Sequence, residues 1–200
     1  MIGKLILASS SPRRRAILDQ LGLAHRVHAS GLKEQPVPGE SPEATVERLA
    51  LEKAHAVQEV HADEVILAAD TAVVLDGDML GKPKDQQDAR DMLRRLQGRS
   101  HQVMTGVAVL SPSGRWSGVS ITTVRFRSLS DEEIEAYVAS GEPMDKAGAY
   151  AIQGLGAGLV EEISGCFYNV VGLPVSLTIR LLRRAGCRAP NYALSENADP

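Results

Sequence analysis

The order of apolar and polar positions along the chain predicts strands and helices that alternate. Runs of β-branched and apolar residues predict five strands, at residues 4–8, 64–75, 101–110, 115–127 and 158–163. Gly114 ends a short turn of small residues between the third and fourth of these strands, which indicates an antiparallel hairpin.

Five helices are predicted from their start and stop signals. Ser11 and Ser41 are each followed by proline, the usual arrangement at the first positions of a helix. A third helix covers residues 85–97, a fourth begins at the capping box of Ser130, and a fifth covers residues 174–185. Helices interleaved with strands predict one α/β domain with a central mixed β-sheet flanked by helices.

Composition narrows the class of protein. The 200 residues are 44% hydrophobic and 24% charged, which allows a sizeable core and excludes a disordered chain. A net charge of −3 and an aromatic content of 4% disfavour a nucleic-acid polymer as ligand. The two cysteines give no disulfide framework, and the sequence contains neither a signal peptide nor a run of about 18 apolar residues. We therefore expect a cytoplasmic protein that does not enter a membrane.

The predicted first helix carries its charges in the unfavourable direction. A helix N-terminus has partial positive charge, yet three consecutive arginines begin at Arg13 in the first turn. A bound anion would offset the mismatch, which costs about 0.3–1 kcal/mol for each exposed cation. Because the serines at residues 9–11 can donate hydrogen bonds, the segment predicts a phosphate site. A solvated basic turn capped by Ser11 is the alternative.

An acidic residue interrupts an apolar stretch in the middle of the chain. Asp70 lies within residues 65–75, and a buried carboxylate is costly unless it is paired, hydrogen-bonded or bound to a metal. The obvious turn follows only at residues 76–78. We therefore interpret Asp70 as a functional carboxylate; the alternative is a strand-end turn in which Asp70 and Thr71 cap the local backbone.

Two lysines are candidates for anion binding. Lys53 falls four residues after Leu49 and four before Val57, on the apolar stripe of the second helix. It is either directed into an anion site or extended along the apolar surface towards water. Lys82 follows a glycine but lacks the spacing and the Ser or Thr of a P-loop. The glycine-rich residues 154–158 likewise lack the spacing of a dinucleotide-binding site.

Taken together, these segments resemble one known family, the Maf family. The motifs that carry the resemblance are LASSSPRR at residues 7–14, ADT at 69–71, GKP at 81–83, HQVMTG at 101–106, GEPMDKAGAYAIQG at 141–154 and NVVGLP at 169–174. They follow the family's order over nearly the whole chain. Each motif is short, and their combination is specific.

The resemblance implies a house-cleaning nucleoside triphosphate pyrophosphatase. Such enzymes hydrolyse the bond between the α- and β-phosphates to a nucleoside monophosphate and pyrophosphate, with Mg²⁺ or Mn²⁺ as divalent cation. The implied fold is an elongated single domain similar to inosine triphosphate pyrophosphatases, and the implied assembly is a homodimer. We expect the domain to span residues 1–189 and the polar residues 190–200 to form a flexible tail.

The resemblance also assigns site residues. The family's catalytic aspartate falls on Asp70, as a general base or a metal ligand, and an acidic residue that can help with the metal falls on Glu34. The residues assigned to substrate binding are Ser9, Arg13, Arg14, Lys53, Lys82, Thr71 and Gln153.

Residues 145–153 resemble the branch of the family that prefers dTTP and UTP. In that branch Arg13, Thr71 and Gln153 would help to choose the base. Two alternatives stay open: a member that prefers 7-methyl-GTP, and a non-enzymatic nucleotide-binding regulator of cell division. The presence of Asp70 favours an enzyme, because binding alone needs no general base.

Overall fold

The computed structural model describes residues 4–33, 35 and 37–187, which form one mixed β-sheet with helices on both faces. The strands are β1 (Leu5–Leu7), β2 (His25–Val27), β3 (Val65–Leu75), β4 (Asp78–Leu80), β5 (Ser100–Ser111), β6 (Gly114–Phe126) and β7 (Val160–Ser164). The helices are α1 (Pro12–Gln20), α2 (Pro42–Gln58), α3 (Gln86–Leu96), α4 (Asp131–Ala139), α5 (Phe167–Val171) and α6 (Val175–Arg184). The predicted tail at residues 190–200 lies outside the described part of the chain.

The predicted start signals of three helices, α1, α2 and α4, are confirmed by hydrogen bonds in the structure. The Ser11 hydroxyl accepts a hydrogen bond from the Arg14 backbone N–H, and the Ser41 hydroxyl accepts one from that of Ala44. The predicted capping box at Ser130 is complete. These bonds satisfy backbone donors that the first turn of a helix leaves unpaired, so they fix where each helix begins.

The sheet is mixed, as predicted. Its strand order is β2-β1-β3-β5-β6-β7, with β4 paired to β3 off this path. β1 lies parallel to both β2 and β3, whereas the β3–β5, β5–β6 and β6–β7 pairs are antiparallel. The predicted hairpin between β5 and β6 is confirmed, with Ser111 opposite Gly114 at its end.

Three short elements do not appear among the predicted ones. β2 and β4 have three residues each, and α5 has five. Such lengths give neither a period-2 nor a period-3.6 pattern, so local sequence carries no signal for them. The predicted strand at residues 158–163 begins later, at Val160, because a 3-10 segment, Gly154–Leu159, precedes it.

The two faces of β3 pack against different helices. Ile66 and Ala68 belong to an apolar cluster with residues of α2, while Val65 and Leu67 belong to a second cluster that includes residues of α1 and α6. A β-strand alternates its side chains between faces, so Asp70 shares the α2 face and Thr71 the other. None of the helices among the described residues is long and apolar enough to cross a membrane.

One edge of β3 is open in the middle of the strand. That edge pairs with β1 over Val65–Leu67 and with β4 over Val73–Leu75. Residues 68–72 lie between these partners and keep only β5 as a ladder neighbour among the described strands. The gap places Asp70 and Thr71 inside the sheet and also at an edge where a ligand can approach the backbone.

Candidate active site

A cavity of about 950 Å³ lies over this gap. Its walls come from the end of β1 and the start of α1, from α2, β3 and β4, and from the loop that follows α4. Five cations and two anions are found among the described residues that line it. These are Arg13, Arg14, Lys53, Lys82 and Lys146, and Asp70 and Asp145.

Asp70 and Lys53 form an ion pair inside the cavity. The Lys53 Nζ atom donates a hydrogen bond of 2.5 Å to Asp70 Oδ1, and the two side chains are 13% and 11% exposed. Lys53 therefore points into the cavity and does not extend along the apolar surface to water. The alternative of a strand-end turn at Asp70 is wrong, because the residue lies within β3 and pairs with Gly106 of β5.

Thr71 lies on the other face of the sheet, where Arg14 holds it. The Arg14 guanidinium donates from Nη2 to Thr71 Oγ1 (3.0 Å), from Nη1 to Ser9 Oγ (3.1 Å) and from Nε to the carbonyl of Gly172 (2.8 Å). One planar cation thus joins the end of β1, the middle of β3 and the turn after α5. This geometry makes Arg14 a brace of the cavity wall.

The Ser9 hydroxyl is oriented by its neighbours. Its oxygen accepts hydrogen bonds from the Ser11 backbone N–H (3.2 Å) and from Arg14 Nη1 (3.1 Å). A serine hydroxyl has two acceptor lone pairs and one proton. Both lone pairs are engaged, and the proton has no acceptor among the residues that the structure describes. Since Ser9 lines the cavity, this proton is available to a ligand.

Arg13 crosses the cavity mouth towards the loop after α4. Its Nη1 atom lies 3.7 Å from Asp145 Oδ2, while Lys146 Nζ donates to Asp145 Oδ1 at 2.5 Å. The hydrogen bond from Lys146, and the charge of Arg13 to a lesser degree, lower the pKa of Asp145. Asp145 and Lys146 were not among the predicted site residues, although both fall within the quoted motif at residues 141–154.

Lys82 and Gln153 line the cavity from exposed positions. The wall that carries Lys82 is tied to the loop after α4, because the Gly148 backbone N–H donates to the carbonyl of Gly81 (3.0 Å). Every predicted site residue within the described chain therefore lines one cavity. Glu34, the second predicted metal ligand, lies outside the described residues.

The carboxylate chemistry of the cavity is compatible with a divalent cation. Within residues 4–33, 35 and 37–187, no three His, Cys, Asp or Glu side chains come together as a ready-made metal cluster. Mg²⁺ needs only one or two protein carboxylates when it also binds substrate phosphates. Asp70 Oδ1 is engaged by Lys53, and Oδ2 has no hydrogen-bond partner in the described part of the chain.

A buried aromatic cluster supports the cavity wall at Tyr150. The Tyr150 hydroxyl lies 2.7 Å from His101 Nε2, and both rings pack edge-on against Phe126. Burial lowers the pKa of His101 to about 4 and raises that of Tyr150. Both side chains are therefore neutral at pH 7, and they form an uncharged buried layer behind the charged cavity wall.

Comparisons with known proteins agree with the motifs and with the fold. The Staphylococcus aureus Ham1 protein matches with a TM-score of 0.53 at 13% identity, over 90% of this chain and 96% of that one. A dTTP/UTP pyrophosphatase of Anaeromyxobacter sp. (strain Fw109-5) is 53% identical, over 95% of this chain and 93% of its own. A dTTP/UTP pyrophosphatase of Symbiobacterium thermophilum is 51% identical, over 92% of this chain and 94% of its own. The family sequence model described as Maf-like protein matches residues 4–185 of this chain. The chain therefore belongs to the Maf family.

Proposed function

We propose that this protein is a nucleoside triphosphate pyrophosphatase that acts on dTTP and UTP. It hydrolyses the anhydride between the α- and β-phosphates to a nucleoside monophosphate and pyrophosphate. Two relatives that are 53% and 51% identical to this chain over nearly its whole length are named dTTP/UTP pyrophosphatases. The observation that carries the proposal is the Asp70–Lys53 pair, inside a cavity whose described charges are mainly positive in a chain of net charge −3.

The cations of the cavity suit a triphosphate. A nucleoside triphosphate carries up to about four negative charges, and hydrolysis requires their neutralisation. Lys82 is exposed at the wall. Among the described residues, the ion-pair partner of Arg13 is Asp145 at 3.7 Å, and a phosphate can replace Asp145 in this contact. The free proton of Ser9 donates to a third phosphate oxygen. These groups hold the phosphate chain at the open edge of β3.

A divalent cation, Mg²⁺ or Mn²⁺, fits the same edge. Asp70 would hold it through Oδ2, together with Glu34 and the phosphates of the nucleotide. When bound, the cation would neutralise phosphate charge and stabilise the leaving pyrophosphate.

Asp70 has one of two roles in the reaction. As a general base it accepts, at Oδ2, a proton from the water that adds to a phosphorus of the anhydride while the bond to the bridging oxygen breaks. As a metal ligand it holds the cation, and another group takes that proton. In both roles Lys53 fixes the carboxylate through Oδ1, and Oδ2 is the oxygen that would take the proton or hold the cation.

Gln153 and Thr71, together with Arg13, are proposed to choose the base. Gln153 supplies an amide with both a donor and an acceptor, which matches the edge of uracil or thymine. Thr71 contributes to base selection from a fixed position, because its hydroxyl is hydrogen-bonded to both Arg14 (3.0 Å) and Thr105 (3.0 Å).

The family resemblance also supports a homodimer, while the composition supports a cytoplasmic protein that binds no nucleic-acid polymer. Light scattering of the purified protein at several concentrations measures its mass in solution. A mass equal to one chain of 21.4 kDa at all concentrations would contradict the dimer.

Pyrophosphate release by the purified protein tests the proposed activity. The substrates are dTTP, UTP, CTP, dATP and 7-methyl-GTP, each with Mg²⁺, with Mn²⁺ and with a chelator. We expect metal-dependent release, fastest with dTTP and UTP, and a loss of about 100-fold or more in Asp70→Asn. Preferential release from 7-methyl-GTP would place the protein in the other branch. Tight nucleotide binding without release would favour the regulator.

Metal titration of the same variant separates the two roles of Asp70. If the carboxylate is a general base, Asp70→Asn keeps the metal dependence of nucleotide binding while turnover is lost. If it is a metal ligand, the variant needs a higher metal concentration to bind the nucleotide.

A further inference from the structure

The glycine-rich segment at residues 154–158 encloses an anion that belongs to the protein itself. The Glu142 carboxylate accepts hydrogen bonds from the backbone N–H groups of Leu155 (3.0 Å, at Oε2) and Gly156 (2.9 Å, at Oε1). The Tyr137 hydroxyl donates a third, at 2.9 Å, to Oε1. The segment thus binds a carboxylate with its backbone, as such loops bind phosphates in other proteins.

Glycine is required at two positions for this enclosure to close. Gly154 has a φ of 72°, and a Cβ there would lie 2.6 Å from Glu142 Oε2. At Gly156 a Cβ would lie 2.3 Å from the carbonyl oxygen of Ala151 and 2.6 Å from the Tyr137 hydroxyl. A side chain at either position would push the segment off the carboxylate.

The same two side chains hold the backbone on both sides of Gln153. Before it, the Ala151 backbone N–H donates to the Tyr137 hydroxyl (3.3 Å), which in turn donates to Glu142. After it, two successive N–H groups bind the Glu142 carboxylate. Gln153 itself is exposed and lines the cavity, so its place depends on backbone that these contacts fix.

We infer that Glu142 and Tyr137 are positioning residues that set base selectivity by holding Gln153 in place. The inference rests on the proposed function, because it requires that Gln153 meets the base. Neither side chain lines the cavity, and both act on the substrate only through the segment that they hold.

Glu142 also connects this segment to the phosphate side of the cavity. Its backbone carbonyl accepts a hydrogen bond of 2.6 Å from Lys146 Nζ, which also donates to Asp145. Asp145 in turn faces Arg13. A shift of the Glu142 side chain would therefore move the backbone next to Gln153 directly, whereas it would reach Arg13 through Lys146 and then Asp145.

The protonation states suit these contacts at neutral pH. Burial works against the charge of Glu142, but hydrogen bonds from Gly156, Leu155 and Tyr137 hold its pKa below the ordinary value. Burial, together with the nearby Glu142 carboxylate, raises the pKa of Tyr137. The acceptor is therefore ionised and the phenol keeps its proton, which gives charge-assisted hydrogen bonds that are shorter and stronger than neutral ones.

Two near-isosteric variants test the inference, Glu142→Gln and Tyr137→Phe. UTP and CTP differ only at position 4 and the adjacent N3 of the base, so the ratio of their kcat/KM values isolates base selectivity from phosphate binding. Glu142→Gln replaces one acceptor oxygen by an amide that faces a backbone donor. We expect this ratio to fall about tenfold, through a higher KM for UTP, while kcat changes less than about threefold. Tyr137→Phe should lower the UTP-to-CTP ratio of kcat/KM by a smaller factor.

Amide hydrogen exchange gives a readout that needs no substrate. The N–H groups of Leu155 and Gly156 should exchange faster in Glu142→Gln than in the wild-type protein, because their acceptor is weakened. Val138→Ala is the matched control: Val138 is fully buried in α4, the helix that carries Tyr137, and its truncation lowers stability without removing a hydrogen bond to the Glu142 carboxylate. Its UTP-to-CTP ratio should stay at the wild-type value.

The outcomes distinguish this inference from the proposed function. A wild-type protein that releases pyrophosphate selectively from UTP, with Glu142→Gln and Tyr137→Phe equally selective, would overturn the inference alone. An equal loss of selectivity in Val138→Ala would overturn it too, because the effect would then follow stability. Absence of pyrophosphate release by the wild-type protein from every triphosphate would overturn both.

Discussion

Gly106 lies directly opposite Asp70 in the β3–β5 pair, and its missing side chain allows α2 to touch the sheet there. A Cβ at Gly106 would lie 2.2 Å from the backbone carbonyl oxygen of Val46, in the first half of α2. The same helix carries Lys53 two turns further on, where it pairs with Asp70. The approach of helix to strand at Gly106 therefore sets the distance across the ion pair.

Gly106→Ala should separate the ion pair and reduce activity. The added methyl group cannot be accommodated by a side-chain movement, because the nearest atoms are backbone atoms of α2. We expect a loss of about 1–3 kcal/mol in the free energy of unfolding, as for other overpacked cores, and a decrease in kcat. Urea unfolding and pyrophosphate release measure the two effects.

Gly118→Ala is the control for this substitution. Gly118 also lies in the sheet, but its Cβ would meet the end of the Leu177 side chain at 3.3 Å, which can rotate away. Its kcat should stay near that of the wild-type protein. Equal kcat values in Gly106→Ala and the wild-type protein would contradict the positioning of α2 by Gly106.

Arg14→Lys should weaken nucleotide binding although the charge is kept. A lysine cannot reproduce three hydrogen bonds that leave a planar guanidinium towards Ser9, Thr71 and the carbonyl of Gly172. The Ser9 hydroxyl oxygen then loses the hydrogen bond that it accepts from Arg14 Nη1 and that orients its proton. We expect KM for UTP to rise about tenfold, with a loss of about 1–3 kcal/mol in stability.

Arg15→Lys provides the comparison on the same helix. Arg15 is 67% exposed and lies 3.7 Å from Asp19, a surface pair of little energetic value. Its kinetics and stability should match those of the wild-type protein. Similar KM values in both arginine variants would mean that Arg14 does not brace the cavity.

Gln153→Ala should reduce the preference for UTP over CTP without changing stability, since the side chain is exposed. It should leave hydrogen exchange at the neighbouring Leu155 and Gly156 amides unchanged, unlike Glu142→Gln, because the carboxylate that they bind is intact. Leu155→Ala is the control, as it removes an exposed neighbour while the backbone donor remains. An unchanged UTP-to-CTP ratio in Gln153→Ala would contradict its role at the base.

Local signals were sufficient for the main elements and for the individual candidates of the site. Serine caps and prolines determine helix starts within one turn, and long runs of β-branched and apolar residues determine β3, β5 and β6. Asp70 was recognisable because a carboxylate inside an apolar run must have a partner. Lys53 was recognisable from its place on the apolar stripe of α2, although its direction could not be predicted.

The joining of these residues into one cavity could not be predicted from local sequence. It depends on the gap between β1 and β4 along β3, and β4 is too short to give a pattern. The role of Glu142 was hidden for a similar reason. Its partners, Leu155 and Gly156, lie more than ten residues away and bind through backbone groups, which leave no trace in side-chain chemistry.

The burial of His101 predicts that the folded protein becomes less stable as the pH falls. Its folded pKa of about 4 lies below the ordinary 6.5, so between these values the unfolded chain binds a proton that the native protein excludes. The free energy of unfolding should therefore decrease as pH falls through this window, by about 1.4 kcal/mol per pH unit and about 3 kcal/mol in total. His101→Gln, which keeps a polar atom for Tyr150, should remove this contribution to the slope. Urea unfolding at several pH values from 4.5 to 7.5 measures both slopes, and parallel curves would contradict the burial of a neutral imidazole.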